Sequence, residues 1–177
     1  IQGERLPGDE DLAAGFPTDP AVLELFGCLI IGSAPVVSWT EEQMHALVAY
    51  VENGGAVIFL GGEDSFGLGG YSASPLAPLF PWRITHEEPP LQRGTYPVSV
   101  PLAAHGHPIM AGIADWLAET EQAVLESANL PGPVKPAATV LLTAGLGDRV
   151  APVIVQQRFG KGQVLGLASN TLWKWAR

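Results

Sequence analysis

The glycine-rich segment GGEDSFGLGG, residues 61–70, holds the side chains whose types and spacing are best suited to chemistry. It directly follows the apolar run AVIFL, and a strand that leads into a sharp turn is where many α/β enzymes hold a nucleophile or a phosphate. Ser65 is the hydroxyl of this segment. In the elbow Gly-x-Ser-x-Gly, glycines stand two residues before and after the serine, whereas here Glu63 and Gly67 hold those positions. The sequence therefore matches only one of the two glycine positions of the elbow motif. The structural alternative is that Ser65 caps a short helical turn.

A serine nucleophile needs a base, and the segment HGHP supplies His105 and His107. Either histidine can serve Ser65 only if the fold brings it over the turn. In an extended segment, residues i and i+2 point to the same side, so the two rings also suit a metal site. The plainer alternative is a cap before a helix that begins at Pro108. A serine hydrolase and a metal-assisted activity therefore stand beside a purely structural interpretation.

Backbone N–H groups of the glycines in residues 61–70 are a third candidate, because free N–H groups bind anions. The candidate ligand-binding residues are Gly61, Gly62, Glu63, Asp64, Ser65 and Gly67. Their spacing fits neither of the glycine motifs that bind nucleotides, and the two carboxylates repel a phosphate. The favoured alternative is a structural loop that Phe66 and Tyr71 hold against the domain.

Three other side chains invite a chemical role, and the sequence favours a plainer one for each. Cys28, in FGCLIIG, is expected to be buried as a small hydrophobic residue. Because it is the single cysteine of the sequence, an internal disulfide and a zinc site made of cysteines are excluded. Glu87 and Glu88, in THEEPP, are expected to be solvated, because paired catalytic carboxylates need opposed environments. No metal or cofactor is predicted.

The two tryptophans near the end of the chain, Trp173 and Trp175, suggest an interface. Alternate residues of a helix do not both face a core. We therefore expect one of them to pack against another domain of a larger protein or against a protein partner.

Composition limits the class of protein. The chain has 177 residues, of which 47% are hydrophobic and 15% charged, which suits one globular domain over 1–177, with an irregular lead-in at 1–20. A net charge of -9 argues against nucleic acid as a partner. No apolar run approaches the roughly 20 residues that span a bilayer. The start at Ile and the end at LWKWAR suggest a piece of a longer protein, and no signal indicates a compartment.

The elements that must position these residues begin with a helix between two apolar runs. CLIIG and AVIFL are predicted to be buried strands. Between them, apolar residues at helical spacing predict a helix, capped by either Ser38 with Glu41 or Thr40 with Gln43 and stopped at Asn53–Gly54. Such a unit has parallel strands, and parallel sheets are covered on both faces. The expected fold is therefore α/β: a three-layer, flavodoxin-like domain with a mostly parallel central sheet.

The second half is less regular. TYPVSVPL is expected to be extended. QAVLESANL, ATVLLTAG, APVIVQQRF and GQVLGLASN are four further β-like runs separated by turn residues. RFGKGQ is a plausible hairpin turn, so the sheet is expected to finish with an antiparallel pair.

Several of these stretches together resemble a known family. They are FPTDPAVLELFGCLIIGS, GGAVIFLGGEDSFGLGGYSASPLAPLFP, KPAATVLL, APVIVQQRFGKGQVLGLAS and LWKWAR. They are similar to the class I glutamine amidotransferase-like domain found within larger bacterial proteins, which often also carry transmembrane helices and a von Willebrand A module. HGHPIMAGIADWLAETEQAV is more loosely similar to the trehalose-utilisation-type branch of the same fold, which implies a sugar-related role. The resemblance implies the amidotransferase-like fold and a parent protein that is membrane-associated.

The family's reaction needs residues that this sequence lacks. Aligning AVIFLGGEDS with the family's elbow puts Gly61 where the nucleophilic cysteine belongs, and neighbouring registers give Leu60 or Gly62. The family's His and Glu partners are also missing from LASNTLWKWAR. A thiolate activated by histidine is essential to that chemistry. The resemblance thus predicts a non-catalytic binding or interaction module, with a hydrolase at Ser65 or a metal-assisted activity at His105 and His107 as the alternative.

Overall fold

The fold is built on one curled, mixed β-sheet. In the computed structural model, residues 15–120 and 123–176 are described. The strands are β1 Cys28–Ile31, β2 Ala56–Leu60, β3 Gln92–Ser99, β4 Val124–Ala128, β5 Thr139–Leu146, β6 Arg149–Phe159 and β7 Gly162–Leu167, in the spatial order β1-β2-β7-β6-β5-β3-β4. Within the described ranges there are three α-helices, α1 Pro20–Leu23, α2 Glu41–Glu52 and α3 Ile113–Glu119. None of the helices described is long and apolar enough to cross a membrane.

The first βαβ unit is present as predicted. Thr40 caps α2, because its hydroxyl accepts from the backbone N–H of Gln43 at 3.1 Å and its own N–H donates to the Gln43 side chain at 2.9 Å. Gly54, at φ 124°, takes the chain out of the helix. β1 and β2 are parallel and in register from Cys28 opposite Ala56. Of the two predicted caps, the one at Thr40 is therefore used.

The predicted three-layer, flavodoxin-like domain with a mostly parallel sheet is wrong. Only the pairs β1–β2 and β2–β7 are parallel, and the other four neighbouring pairs are antiparallel. The connections explain this, because Gly147–Asp148 and Gly160–Lys161 are too short to cross over between parallel strands. The hairpin at RFGKGQ does join β6 to β7, and Gly160 has the φ of +57° that its turn requires. The helices that would make full outer layers are few and short.

Each face of the sheet has its own core. On one face, α2 packs against β7, and the rings of Phe66, Phe80 and Trp82 pack together over the same side of the sheet. On the other face, a segment at 102–117 packs against Leu141. Strand β4 lies at one edge, yet the N–H of Asn129, the residue after it, donates to Ala168 just beyond β7 at 2.8 Å. The sheet therefore curls until its edge strand meets the end of β7.

Two residues are placed differently from expectation. Cys28 is exposed, because β1 is at the edge of the described sheet, pairs there with β2 on one side, and leaves Ile30 65% accessible. Glu88 is only 9% exposed, although its neighbour Glu87 is solvated as predicted. The irregular lead-in at 1–20 lies outside the described residues as far as residue 14, and α1 begins at Pro20.

Candidate functional site

The turn that follows β2 is anchored at its base by one buried asparagine. Gly61 donates its N–H to Leu167 at 2.6 Å. The side chain of Asn129, which is 1% exposed, accepts from the N–H of Gly62 at 2.9 Å and donates to the Gly62 carbonyl at 3.0 Å. Both backbone groups of Gly62 are thus satisfied by one side chain that arrives from the end of β4.

Ser65 is not presented as a nucleophile. It is 4% exposed, and its Oγ donates to the carbonyl of Leu60 at 2.9 Å. A nucleophilic serine must give its proton to a base and face a substrate. Here the proton is held by a backbone carbonyl, so Ser65 makes a structural bond back to β2. This bond differs from a helix cap, in which the side-chain oxygen accepts from a backbone N–H, so the capping alternative stays a prediction.

The glycine N–H groups are also occupied. Besides those of Gly61 and Gly62, the N–H of Gly67 donates to Glu88 at 2.9 Å, that of Gly69 to Ser65 at 3.1 Å and that of Gly70 to Gly67 at 3.0 Å. An anion site needs donors that are free to turn toward the ligand. The five donors that motivated the anion hypothesis each have a partner inside the protein.

The interior of the turn is filled by its own aromatic residues. Phe66, at φ +55°, and Tyr71 are 1% and 2% exposed. The Tyr71 hydroxyl donates to the Ala34 carbonyl at 2.6 Å. These contacts confirm that the two rings hold the loop against the body of the domain.

A thiolate has no room at Gly61. A Cβ added there would lie 2.5 Å from the backbone nitrogen of Ser169 and 2.6 Å from Oδ1 of Asn129. Contacts under 3.0 Å with backbone force the structure to shift. The position that aligns with the family's nucleophile is therefore closed to any side chain as well as lacking one.

Acidic residues surround the turn in two different environments. Glu63 is exposed and pairs with Arg93 of β3. Glu88 is buried, and its carboxylate accepts from the N–H groups of Gly67 and Thr85, at 2.9 Å and 3.3 Å. Burial raises the pKa of Glu88 above its ordinary value and outweighs these amide donors, which lower it. Glu88 thus ties the 85–88 loop to the turn.

The histidines lie on the other side of the sheet from the turn. Nε2 of His107 is 3.1 Å from Oε1 of Gln156, and its Nδ1 accepts from the N–H of Ile109 at 3.3 Å. Gln156 shares a strand face with Ile154, which pairs with Leu167. Trp82, which contacts Phe66 of the turn, lies instead against Gly166, whose side of β7 is opposite to that of Leu167.

The sheet therefore separates His107 from Ser65. His107 caps the short 3-10 helix that begins at Pro108, which confirms the plainer interpretation of this segment. His105 is exposed two residues away. Within residues 15–120 and 123–176, no three His, Cys, Asp or Glu side chains are grouped so that they could hold a metal ion.

An apolar groove of about 450 Å³ lies on the His107 side of the sheet. It runs between the sheet, α3 and the 3-10 helix Leu172–Ala176, and all of its lining side chains are apolar. Trp175 packs against Trp116 with ring centroids 5.9 Å apart and donates its indole N–H to Val124 at 2.8 Å. Trp173 is 57% exposed. Of the two terminal tryptophans, Trp175 thus forms part of the groove wall.

Comparison with solved structures gives the fold a context. Two cytoplasmic proteins of Salmonella typhimurium are similar over 88% of this chain, at 18% and 17% identity and TM-scores of 0.70 and 0.69. A ThuA-like protein from Bacteroides uniformis matches over 87% of this chain and 63% of its own, at 15% identity and a TM-score of 0.57. Identities this low show a shared fold and carry no conclusion about activity. The chain thus shares its fold with a ThuA-like protein.

The similarity covers only part of the other proteins. The chain spans 65% of the length of each Salmonella protein. It also matches 21% of a β-galactosidase from Rahnella sp. R3, at 15% identity and a TM-score of 0.58. No protein-family model matches the chain. No curated protein matches it either.

Sequence reasoning did not identify Asn129 and Glu88, which hold the turn. Asn129 closes the predicted strand QAVLESANL, where an asparagine also suits an ordinary turn. Glu88 stands in a Pro-flanked acidic segment that is typical of solvated loops. Neither residue is near the turn in sequence, so no local pattern could reveal the contact.

Proposed function

We propose that this chain is a non-catalytic binding module that keeps an amidotransferase-like fold without a reaction centre at the usual turn. The observation that carries the proposal is the closed turn. Ser65 donates to Leu60, the five glycine N–H groups have partners, and Gly61 leaves no space for a thiolate. A hydrolase at Ser65 or a metal-assisted activity at His107 receives no comparable support, because both side chains are already bonded within the protein.

Activity assays test this proposal. Purified protein is incubated with glutamine, and ammonia release is measured; hydrolysis of p-nitrophenyl acetate is measured in parallel. We expect no ammonia above the blank, and any slow ester hydrolysis to be the same in Ser65→Ala and His107→Gln. Ammonia release that needs the protein, or ester hydrolysis that falls in Ser65→Ala while the melting temperature is kept, would overturn it.

The surface that best supports binding is the apolar groove. Ile113 and Trp116 are 42% and 40% exposed at its edge, and none of the described residues that line it is charged. Contiguous exposed apolar surface marks interaction sites in soluble domains. The partner that fits is a protein segment with apolar side chains, either from another domain of a larger protein or from a separate chain.

A neutral apolar probe tests the groove without a known partner. We expect N-phenyl-1-naphthylamine to gain fluorescence with the wild type and to lose most of that gain with Ile113→Asp. Leu102→Asp is the matched control, because Leu102 is 87% exposed and does not line the groove. Equal fluorescence for wild type and Ile113→Asp would contradict this assignment of the binding surface.

A further inference from the structure

A second, smaller cleft lies beside the start of β6. It has a volume of about 260 Å³ and lies between the 130–132 segment after β4 and the start of β6. Because β6 is antiparallel to β7 and Ile154 pairs with Leu167, the start of β6 extends past the carboxyl end of β7. The cleft therefore lies at the edge where the parallel strands end. Open sheets with parallel strands bind their ligands at this edge.

Trp82, one of the residues that line this cleft, has a buried polar atom without a partner among the described residues. Trp82 lines the cleft and is fully buried, and its indole Nε1 has no hydrogen-bond partner within residues 15–120 and 123–176. The six-membered ring of Trp82 lies against Gly166, which leaves the nitrogen on the part of the ring away from β7. Buried indole N–H groups usually have a partner, and leaving one unsatisfied carries a desolvation cost. A bound oxygen acceptor would remove that cost.

An arginine side chain without a partner in the described part of the protein lies at the mouth of the cleft. Arg149 is exposed, and its side chain makes no hydrogen bond or ion pair with the residues that the structure describes. The chain has 18 acidic and 9 basic residues, so carboxylates outnumber basic side chains two to one. Arg149 makes no ion pair with the described residues despite this excess. In the part of the chain that the structure describes, no carboxylate lines the cleft, although Asp148 precedes Arg149 in the hairpin turn. A planar guanidinium binds a carboxylate through two parallel hydrogen bonds.

The remaining walls are apolar and limit the size of a ligand. These walls are formed by Leu130, Pro131, Leu146, Val150 and Pro152. The volume is slightly below the 300–1,000 Å³ of typical ligand pockets. The space therefore suits a ligand of about ten non-hydrogen atoms with a hydrocarbon middle.

We infer that this cleft binds a short organic carboxylate that carries a second oxygen at its far end. The carboxylate pairs with Arg149 at the mouth, the hydrocarbon chain lies between Leu130 and Val150, and the second oxygen accepts from Nε1 of Trp82. The site is separate from the apolar groove and does not depend on the function proposed for that groove.

The probe is 4-oxopentanoate, which has a carboxylate, a short chain and a ketone oxygen. It is titrated into ¹⁵N-labelled protein while the indole N–H resonances are followed; the Trp82 resonance is the one absent from Trp82→Phe. We expect this resonance to move downfield in a saturable way. Pentanoate, which lacks the ketone, should bind without moving it downfield, and 2-hexanone, which lacks the carboxylate, should bind at least about tenfold more weakly.

Arginine variants test the contact with the carboxylate and do not rely on Trp82→Phe. Arg149→Gln should weaken 4-oxopentanoate about tenfold, which is the loss expected for a charge-assisted pair. Arg158→Gln is the matched control, since Arg158 is an exposed arginine at the far end of the same strand. Absence of a saturable shift at tens of millimolar probe, or equal affinity of wild type and Arg149→Gln, would overturn the proposal.

Discussion

Asn129 is the residue on which the geometry of the β2 turn depends most directly. Asn129→Ala would leave the N–H and the carbonyl of Gly62 without partners in a buried place. We expect the free energy of unfolding to fall by about 3 kcal/mol, since each unsatisfied buried group costs about 1–3 kcal/mol. Urea denaturation measures the change.

A hydroxyl on the surface provides the control for this loss. Ser99 bonds Thr143 across exposed positions of β3 and β5, so Ser99→Ala should change the same quantity by less than about 0.5 kcal/mol. If Asn129→Ala were as mild as Ser99→Ala, water would be satisfying Gly62 and the turn would not be closed.

Glu88 makes the stability of the protein depend on pH in a definite direction. Burial raises its pKa above the ordinary value of 4.5, so the folded state binds its proton more tightly than the unfolded state. The stability that Glu88 contributes is therefore fully present below that ordinary value and is lost as the pH rises through the raised pKa. We expect the unfolding free energy of wild type relative to Glu88→Gln to decrease between about pH 4 and about pH 7.

Glu87→Gln is the control for this pH series, because the Glu87 side chain is 85% exposed. The difference between wild type and Glu87→Gln should stay nearly constant over the same range. A relative stability of wild type over Glu88→Gln that grows with pH would mean that the N–H groups of Gly67 and Thr85 outweigh burial.

At the scale of elements, the β2 turn differs from an enzyme's elbow by its packing as well as by its residue types. Gly61→Ala and Gly61→Cys would each drive a Cβ into the backbone at Ser169. We expect either to destabilise the protein by about 1–3 kcal/mol, the usual cost of overpacking. Thermal unfolding followed by circular dichroism measures it, and Gly61→Cys should release no ammonia from glutamine.

Gly32, just after β1, is the matched control for this pair. A Cβ there meets nothing within 4 Å, and no left-handed φ is needed. Gly32→Ala should therefore be neutral or stabilise the protein by up to about 1 kcal/mol. A Gly61→Ala variant as stable as Gly32→Ala would show that the turn can open to admit a side chain.

The elements themselves follow closely from sequence pattern, because their determinants are local. The cap at Thr40, the stop at Gly54 and the hairpin at Gly160 each depend on residues within a few positions of one another. The predicted β-like runs all contain strands. Contacts such as Glu88 with Gly67 join residues far apart in sequence, and no periodicity encodes them.

At the scale of the whole molecule, a sequence pattern that predicts a strand does not predict the direction of that strand in the sheet. An apolar run such as APVIVQQRF is compatible with either a parallel or an antiparallel neighbour. The βαβ unit determines the direction of its own two strands, and four of the other neighbouring pairs are antiparallel. Connection length decides instead, and the two-residue links around β6 leave only antiparallel pairing. Where β4 curls back to meet the end of β7, the site residues Asn129 and Gly62 meet as well.

The charge of the whole molecule leads to a last prediction. At pH 7 the chain carries a net charge of -9, and its sequence pI is about 4.7. Self-repulsion of this size destabilises the compact state, and salt screens it. We expect the melting temperature at pH 7 to rise by about 2–4 °C between about 20 mM and about 300 mM NaCl, as the Debye length shortens from about 20 Å to about 6 Å.

The same comparison near the pI separates self-repulsion from the local ion pairs. Close to pH 4.7 the net charge is near zero, so added NaCl should leave the melting temperature nearly unchanged. The pairs Glu63–Arg93 and Glu126–Lys174 are partly exposed, and salt weakens them. A melting temperature that falls with NaCl at pH 7 would mean that such pairs contribute more to stability than self-repulsion removes. The direction of the salt effect at the two pH values therefore decides which of the two dominates.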